Sequence, residues 1–429
     1  MAREYKDSGI EWIGQIPKEW ELSAIKRLMT LYAGATPKSD DVELWNGSIP
    51  WITPADYKTE DVYVSHGRRN ISEKGLQSCA TTILPVNSIV FSKRAPIGLV
   101  VLNDVPLCTN QGCIGCVPNE NAAYSKYYYY VLSAFTEQFE LYGAGTTFKE
   151  ISATNFANFI VCIPSISEQQ KIADYLDKVC GGVDEMVALQ ETMIEELKAY
   201  KQSVITEAVT KGLNPNVPMR NSGIDWIGEI PEHWDKDKII RIFNLIGSGT
   251  TPSSSDNEPY EGNLNWIQSG DINGGDLYES KNKISEKTLK KYSALTMYDA
   301  PFIIIAMYGA SVGNISISHI NGCVNQACCV MSETKQNFKY VFYAIKSAKD
   351  YLIYKAVGGG QPNISQSTLK QLWLPVPPLS EQQAIASFLD TKCSEIDALI
   401  AIKQQKISEL KEYKKSVIYE YVTGKKEVV

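Results

Sequence analysis

The chain has little histidine and lacks several features that would place it in a common class of protein. Among 429 residues there are only three histidines. No second CxxC accompanies Cys113 and Cys116 at the spacing of a zinc knuckle. No P-loop motif GxxxxGK[ST] occurs, which argues against a nucleotide-driven motor. The longest apolar run, residues 301–308, is far too short to cross a bilayer. The first residues contain no apolar segment typical of a signal peptide, so we expect a cytoplasmic protein.

A net positive charge is also missing. The chain has 42 Lys and Arg against 49 Asp and Glu, a formal net charge of −7, whereas a nucleic-acid binder often carries a net positive charge. This balance argues against a protein that coats DNA, but it allows local basic patches. The ten cysteines follow no disulfide or zinc framework. We interpret Cys108, Cys113 and Cys116 as buried free thiols and expect no metal site.

What the sequence does contain is a tandem repeat. The phrase DSGIEWIGQIPKEW at residues 7–20 returns as NSGIDWIGEIPEHW at residues 221–234, about 214 residues later. A similar spacing relates ISEKGL to ISEKTL, NQGC to NQAC, SEQQKIADYLD to SEQQAIASFLD, and ELKAYKQSVI to ELKEYKKSVI. This period is too long for a solenoid, so each repeat is itself the size of a domain.

Each repeat begins with a mixed part and ends with a helical part. Short β-rich runs such as SIVFS and FIIIAMY, broken by Gly, Pro and Asn clusters, combine with a helical stretch at residues 122–142 to predict an α+β domain. Ser167 and Ser380 are the expected N-caps of the helical parts, with Gln170 and Gln383 completing capping boxes. An alternating spacing of four and three apolar residues then predicts a coiled coil. The predicted seam comprises Ile172, Leu176, Val183, Leu197 and Val204 in the first repeat, and Ile385, Leu389, Ile396, Leu410 and Val417 in the second.

These segments together predict an α+β fold with two domains, separated by an antiparallel coiled coil of two long helices, and an internal pseudo-twofold axis. A long helix cannot bury its apolar stripe alone, and its nearest partner is its own duplicate. Gly181-Gly182 has no counterpart in the second repeat and predicts a local bend. The predicted divisions are residues 1–166 for the first domain, 167–212 for the central helix, 213–379 for the second domain and 380–429 for the C-terminal helix.

The order of the repeated phrases resembles that in the specificity subunits of type I restriction–modification systems. DSGIEWIGQIPKEW, WITPAD, NQGC, SEQQKIADYLD and ELKAYKQSVI carry the resemblance, which covers essentially the whole chain. It implies two target-recognition domains, each reading one half of an asymmetric, bipartite sequence in double-stranded DNA. It implies helices that set the spacer and dock two methyltransferase subunits. Restriction subunits with ATP-driven translocation would join the full complex.

The resemblance also implies that this chain is not an enzyme, although its complex would methylate adenine N6 and cleave DNA. S-adenosylmethionine, and ATP with Mg²⁺, would bind to partner subunits, so we expect no cofactor and no catalytic residue here. Neither NPPY nor DPPY, the methyltransferase signatures, occurs. We interpret Asp56 and Asp271 as turn or cap residues rather than nuclease carboxylates. Two alternatives stay open, namely a DNA-acting enzyme that works alone and a scaffold that binds only proteins.

Positions that differ between the repeats are the candidates for DNA contact, because each domain would read its own half-site. Lys and Arg suit phosphate contacts, and Ser, Asn and Gln suit base edges. The tryptophans that recur in both repeats are interpreted instead as packing residues, and the run Tyr127–Tyr130 as partly core and partly surface. The candidates are Lys38, Ser39, Arg68, Arg69, Lys93, Arg94 and Lys149 in the first repeat, and Ser253, Ser254, Lys281, Lys283, Lys287, Lys290, Lys291, Gln361 and Asn363 in the second.

Overall fold

The structure is a computed structural model that describes residues 3–143, 149–253, 260–356 and 363–428. The chain forms two compact units. Unit 1 combines Met1–Glu191 with Gln405–Val429, and unit 2 is Thr192–Gln404. Both chain segments that pass from one unit to the other do so within a long helix. Each unit therefore contains a mixed domain together with helical segments from both repeats.

The strands and helices of the first repeat fall in the positions that its β-rich and helical runs indicate. The strands are β1 (Tyr5–Asp7), β2 (Gln15–Pro17), β3 (Glu21–Ala24), β4 (Met29–Ala33), β5 (Trp45–Ile52), β6 (Tyr63–Val64), β7 (Arg69–Ile71), β8 (Ile89–Ser92), β9 (Val100–Asn103), β10 (Cys108–Thr109), β11 (Cys113–Pro118) and β12 (Ile160–Ile163). The helices are α1 (Ile25–Leu28), α2 (Glu73–Ser78), α3 (Ser125–Ala134), α4 (Thr136–Leu141), α5 (Ala153–Asn158) and α6 (Ile166–Lys211), with a 3₁₀ turn at Val42–Leu44.

The second repeat has the same order of strands and α-helices, but its 3₁₀ turn follows the fifth strand instead of preceding it. Its strands are β13 (Met219–Asn221), β14 (Glu229–Pro231), β15 (Asp235–Lys238), β16 (Phe243–Gly247), β17 (Leu264–Ile267), β18 (Asp276–Leu277), β19 (Asn282–Ile284), β20 (Phe302–Ala306), β21 (Ile315–Ser318), β22 (Gly322–Val324), β23 (Cys328–Thr334) and β24 (Trp373–Val376). Its helices are α7 (Ile239–Ile242), α8 (Glu286–Lys291), α9 (Phe338–Ser347), α10 (Lys349–Lys355), α11 (Gln366–Lys370) and α12 (Leu379–Val422), with a 3₁₀ turn at Ser269–Asp271.

The sheet topology of unit 1 returns in unit 2. Unit 1 has a five-stranded sheet in the order β4-β11-β8-β9-β6 and a three-stranded sheet in the order β10-β5-β7. Unit 2 has β16-β23-β20-β21-β18 and β19-β17-β22. The central strands β8 and β20 are buried along their whole length, as expected for apolar strands covered on both faces. The predicted pair of α+β domains is confirmed.

Helix α3 holds four consecutive tyrosines, all of which are buried. The expectation that some would lie on the surface was wrong, because other elements of unit 1 cover every side of this helix. The Tyr127 hydroxyl donates to the Val422 carbonyl oxygen on α12 at 3.1 Å. Tyr128 donates to Cys162 on β12 at 3.3 Å, and Tyr130 to Asp177 on α6 at 2.7 Å.

The two long helices are continuous but begin two residues earlier than the predicted caps require. Helix α6 begins at Ile166, and Ser165 supplies the capping oxygen, which accepts from the Glu168 amide at 3.3 Å. Helix α12 begins at Leu379, after Pro378. Ser167 and Ser380 therefore lie inside the first turn, and the predicted capping boxes were wrong.

Buried glutamines tie the helix starts to the domains. The Gln169 side chain accepts from the Tyr124 amide at 2.8 Å and donates to Ala122 and Pro164 carbonyl oxygens at 3.0 Å each. In unit 2, Gln382 accepts from Asn337 at 2.8 Å in the same way. Each of these side chains therefore satisfies backbone groups at the point where a long helix leaves its domain.

The long helices run antiparallel within unit 1. The ring of Tyr175 lies 4.5 Å from that of Tyr421, and Asp184 pairs with Lys414 at 2.7 Å, so residue numbers rise on α6 as they fall on α12. Unit 2 contains the equivalent pair with the helices exchanged, Lys201 with Asp397 at 2.6 Å. Each unit therefore contains an antiparallel pair of helix segments, one from each long helix, as predicted.

The predicted seam residues of both helices are buried or partly buried. Helix α6 passes Gly181 and Gly182 without a break, and open space surrounds both glycines. Seam residues near the domains pack into the domain cores as well as between the helices. The exact seam contacts stay a prediction. Buried are Ile172, Leu176, Val183, Ile385, Leu389, Ile396 and Val417; partly buried are Leu197, Val204 and Leu410.

Candidate nucleic-acid interface

Unit 1 brings several candidate residues together on what we call loop face 1, formed by residues 34–39, 53–56, 67–68, 93–94, 110–112 and 149–150. The Thr36 hydroxyl bonds to the Gln111 side chain, which joins the loop that holds Lys38 to the turn after β10. The Lys93 amide donates to the Gly112 carbonyl oxygen at 2.9 Å, which adds the loop after β8. These loops meet because β4 and β8 both pair with β11, which begins directly after the turn that follows β10.

Two cationic candidates on or beside loop face 1 are held by defined partners. Arg68 donates to the Ala55 carbonyl oxygen at 2.8 Å and lies 3.5 Å from Asp56, yet 76% of its side chain is exposed. Arg69 stacks over the Trp45 ring at 3.4 Å, and the same indole N–H donates to the Lys38 carbonyl oxygen at 2.9 Å. Lys38 and Ser39 are exposed. The structure thus places Arg69 beside the Lys38 loop.

Lys93 and Arg94 share one carboxylate. Their Nζ and Nε atoms each lie 2.8 Å from an oxygen of Glu150. The hydrogen bond from Lys93, helped by that from Arg94, holds the pKa of Glu150 below its usual range, so it is ionised at neutral pH. The three groups sum to one positive charge rather than two. The adjacent Lys149 is exposed.

The equivalent place in unit 2 carries no charge. Ile151 donates its amide to the Lys93 carbonyl oxygen at 3.0 Å, and Ile364 donates to that of Met307 at 2.7 Å. The two units therefore make the same backbone hydrogen bond at this point, and Met307 stands where unit 1 has Lys93. The exposed Asn363 takes the place of the acidic residue. Since the backbones match, the charge difference belongs to the side chains alone.

Unit 2 instead carries a run of exposed lysines on loop face 2, formed by residues 249–253, 268–271, 280–291, 307–308, 325–327 and 363–364. The run flanks strand β19 and continues along α8, whose N-cap Ser285 accepts from the Thr288 amide at 3.1 Å. The Ser253 amide donates to the Tyr292 hydroxyl at 2.8 Å, which joins the serine loop to the end of α8. The exposed members are Lys281, Lys283, Lys287, Lys290 and Lys291.

Some lysines of this run also have partners within the domain. Lys290 lies 3.9 Å from Glu286 one turn earlier, and Lys291 lies 5.7 Å from the Tyr292 ring centroid. Such exposed pairs contribute little to stability. Ser254 and Gln361, also predicted to contact DNA, lie outside the described residues.

Other residues that the sequence singled out have structural tasks. Asp56 accepts from the Thr53 amide at 2.7 Å, and Asp271 accepts from the Gln268 amide at 2.9 Å, so both close turns as predicted. The recurring tryptophans pack as predicted. Trp20 and Trp234 are buried, with indole N–H groups that donate to the first turns of α6 and α12 at 2.9 and 3.0 Å.

The cysteines are free, and those of the CxxC are buried. Burial raises the pKa of Cys108 to about 11 and that of Cys113 to about 12, so neither thiol ionises at neutral pH. A zinc ligand is a thiolate. Within the described ranges, no three His, Cys, Asp or Glu side chains cluster as metal ligands. Nor do those ranges contain a helix that is long and apolar enough to span a membrane.

Comparison with known proteins identifies the family. The profile of the type I restriction modification DNA specificity domain matches residues 17–199 and again 231–412. The chain belongs to this family. One match falls in each repeat, so each repeat of this specificity-family chain contains the family domain, and DNA sequence specificity is its function.

Individual relatives agree with this assignment. The type I restriction enzyme MjaIX specificity subunit of Methanocaldococcus jannaschii is 28% identical over 439 residues, with 98% of this chain and 96% of the relative covered. The EcoR124I/EcoR124II specificity subunit of Escherichia coli is 31% identical over 245 residues, with 55% and 51% covered.

Solved structures share the fold at low sequence identity. A chain from a study of complex assembly and conformational transition in the type I R-M system has a TM-score of 0.73 at 15% identity, with 95% of this chain and 98% of that chain covered. The HsdS subunit of Thermoanaerobacter tengcongensis has a TM-score of 0.52 at 14% identity, with 95% and 98% covered.

Proposed function

We propose that unit 1 and unit 2 each read one half of an asymmetric, bipartite target in double-stranded DNA, through loop face 1 and loop face 2. The observation that carries this proposal is that the two units share one sheet topology but present different side chains at equivalent loop positions. A shared scaffold with different loops gives two similar readers with two different specificities. The target is asymmetric because the loops differ.

The charge differences between the two faces support this assignment. Phosphate contacts need exposed cations, and loop face 2 supplies them through its lysine run. Loop face 1 supplies Arg68 and the Lys93–Arg94–Glu150 group, in which the carboxylate fixes the direction of both cations. A fixed, charge-assisted donor suits the reading of a guanine edge, while flexible lysines suit phosphates.

The long helices set the spacer between the half-sites and dock two methyltransferase subunits. Three large apolar side chains at equivalent positions of the helix segments are exposed in each unit, between 48% and 61% accessible. We call these sets docking triplets. The members occupy equivalent positions of the two repeats, and exposed apolar groups of this kind mark interaction sites. The triplets are Met186, Leu189 and Tyr413 in unit 1, and Leu399, Ile402 and Tyr200 in unit 2.

The partner subunits supply the chemistry in this proposal. Methyltransferase subunits on the docking triplets would carry S-adenosylmethionine and methylate adenine N6, and restriction subunits with ATP and Mg²⁺ would translocate and cleave DNA. The chain itself would position these subunits on a chosen sequence. Two equivalent triplets predict two methyltransferase subunits for each copy of this chain.

An exchange of one domain tests the proposal. Residues 1–164 are replaced by the corresponding domain of another family member, and the methylated adenines of a host genome are mapped before and after. One half-site should change while the other half-site and the spacer length stay the same. A change in both halves would refute the assignment of one half-site to each unit.

Two further measurements separate the alternatives. DNA binding by the complex should weaken steeply with salt, since phosphate contacts release counterions; a scaffold that binds only proteins would show no such binding. The isolated chain should neither cleave nor methylate DNA, whereas an enzyme that works alone would.

Insertion of one heptad into both long helices should lengthen the spacer.

A further inference from the structure

Both loop faces present the same glutamine at the apex of the same turn. In unit 1 the turn follows β10, and the Asn110 side chain accepts from the Gly112 amide at 2.9 Å. In unit 2 the Asn325 side chain accepts from the Ala327 amide at 3.2 Å. The central residue of each turn, Gln111 or Gln326, is exposed.

A threonine from a neighbouring loop fixes each of these glutamines. The Thr251 hydroxyl bonds to the Gln326 side-chain oxygen Oε1 at 2.5 Å, and Thr36 bonds to Gln111 in the same way. This bond occupies the oxygen and directs the Nε2 amide away from it. Within the ranges that the structure describes, neither Nε2 donates to a protein acceptor. Each unit therefore presents an oriented amide with two unused N–H groups.

The turns do not need this bond to keep their shape. The Asn110 amide donates to the Ile52 carbonyl oxygen at 3.0 Å, and the Cys113 amide donates to that of Asn110 at 3.1 Å. The Asn325 turn has the corresponding bonds at 3.1 and 3.2 Å. A further exposed, neutral hydrogen bond adds little to a turn that its backbone already closes. What the Thr–Gln pair does determine is the direction of the free amide.

The pairs are identical in the two units, although the loops around them differ. A side chain that reads a base should differ between two domains with different half-sites. A side chain that is the same in both should contact something that both half-sites contain, and every half-site contains the sugar–phosphate backbone. Amide side chains are common donors to phosphate oxygens.

We propose that Gln111 and Gln326 each donate an Nε2–H to a phosphodiester oxygen and so fix the register of each unit on its half-site. This inference rests on the proposed DNA-reading function of the two loop faces. The contact is uncharged and independent of base sequence. Removal of one such bond should weaken binding by about two- to tenfold.

The test uses the complex of this chain with its methyltransferase subunits. Gln111→Ala and Gln326→Ala are compared with the volume-conserving Gln111→Met. The equilibrium affinity is measured for the cognate duplex and for duplexes with one or both half-sites scrambled, each over a series of salt concentrations. Lys287→Ala, which removes an exposed charge of loop face 2, serves as the contrasting variant.

Both glutamine variants should lose the same factor on every duplex, with the specificity ratio and the salt dependence unchanged. Lys287→Ala should instead make the salt dependence shallower, because a lost charge releases fewer counterions. Thr36→Val should give a smaller loss than Gln111→Ala, because the amide remains but is no longer oriented.

Three outcomes would overturn the inference. Unchanged affinity in Gln111→Met and Gln326→Ala would show that the proposed contact does not exist. A loss of affinity confined to one cognate half-site would show that the residue reads a base. A lower melting temperature of the variant that accounts for its loss of DNA affinity would show that the Thr–Gln pair has a structural role instead. Failure of the parent complex to bind its cognate duplex would refute the proposed function itself, which is a separate result.

Discussion

Replacement of Glu150 by glutamine should strengthen non-specific DNA binding by the complex. The carboxylate lies 2.8 Å from both Lys93 and Arg94, whose side chains are 18% and 47% exposed. Glu150→Gln leaves two unopposed cations where the parent has a net charge of one, so about one additional phosphate can be neutralised. The slope of log K against log salt should steepen by about 0.9, so that a fourfold rise in salt costs the variant about 3.5-fold more affinity than the parent. Partly exposed pairs of this kind contribute only about 0–1 kcal/mol each, so the domain should stay folded.

The assay is equilibrium binding to a duplex that lacks the cognate sequence, at several salt concentrations. Glu195→Gln is the matched control, because it also removes one negative charge but lies on α6, paired with Lys198 at 2.8 Å. Because Lys93 lowers the pKa of Glu150, that carboxylate is ionised at every pH above the ordinary pKa of a glutamate side chain. The difference between variant and parent should therefore be constant from about pH 6 to pH 8. An unchanged slope in Glu150→Gln, or an equal change in the control, would refute the reasoning.

Three other predictions concern the helices and the core. Ile402→Glu should weaken assembly with methyltransferase subunits by at least about tenfold without unfolding the chain, as read by size-exclusion chromatography and circular dichroism. Tyr130→Phe, which removes the 2.7 Å bond to Asp177, should lower the free energy of unfolding by about 1.5–3 kcal/mol in chemical denaturation; no loss would show that Lys126, the other partner of Asp177, satisfies the carboxylate without the tyrosine. A chain of residues 1–212 lacks the α12 segment that completes unit 1 and should form a homodimer in light scattering, whereas a stable monomer would contradict the exchanged helix segments.

The domain organisation can be predicted from the sequence because the sequence contains two copies of the same unit. The repeated phrases, the apolar periodicity and the alternation of β-rich runs with turns fix two α+β domains and two long helices. Aligned tryptophans such as Trp20 and Trp234 could be assigned to packing because a base reader would differ between copies. Gln111 and Gln326 are also identical in the two repeats, so a search limited to positions that differ does not select them.

Features that depend on contacts distant in sequence could not be foreseen. Glu150 pairs with Arg94, which lies 56 positions earlier in the chain, and with Lys93 beside it. No local sequence pattern predicts these ion pairs. The exposure of the α3 tyrosines was misjudged because the helix is enclosed by α12, which lies almost 300 residues further along the chain. The N-caps were displaced because Ser165, not Ser167, precedes the first helical turn. Tertiary contacts decided the first two points, whereas the N-cap is a local contact in which Ser165 rather than Ser167 is used.

Because each compact unit combines helix segments from both repeats, inherited variation is constrained differently along the chain. Recombination that replaces residues 1–164 leaves pairs such as Asp184–Lys414 untouched, so a new half-target can be acquired in a single event. Recombination that replaces residues 1–212 sets a foreign α6 against a resident α12 in both units. Lineages should therefore exchange domains at breakpoints just before α6 and α12, while the helices change slowly and in matched pairs.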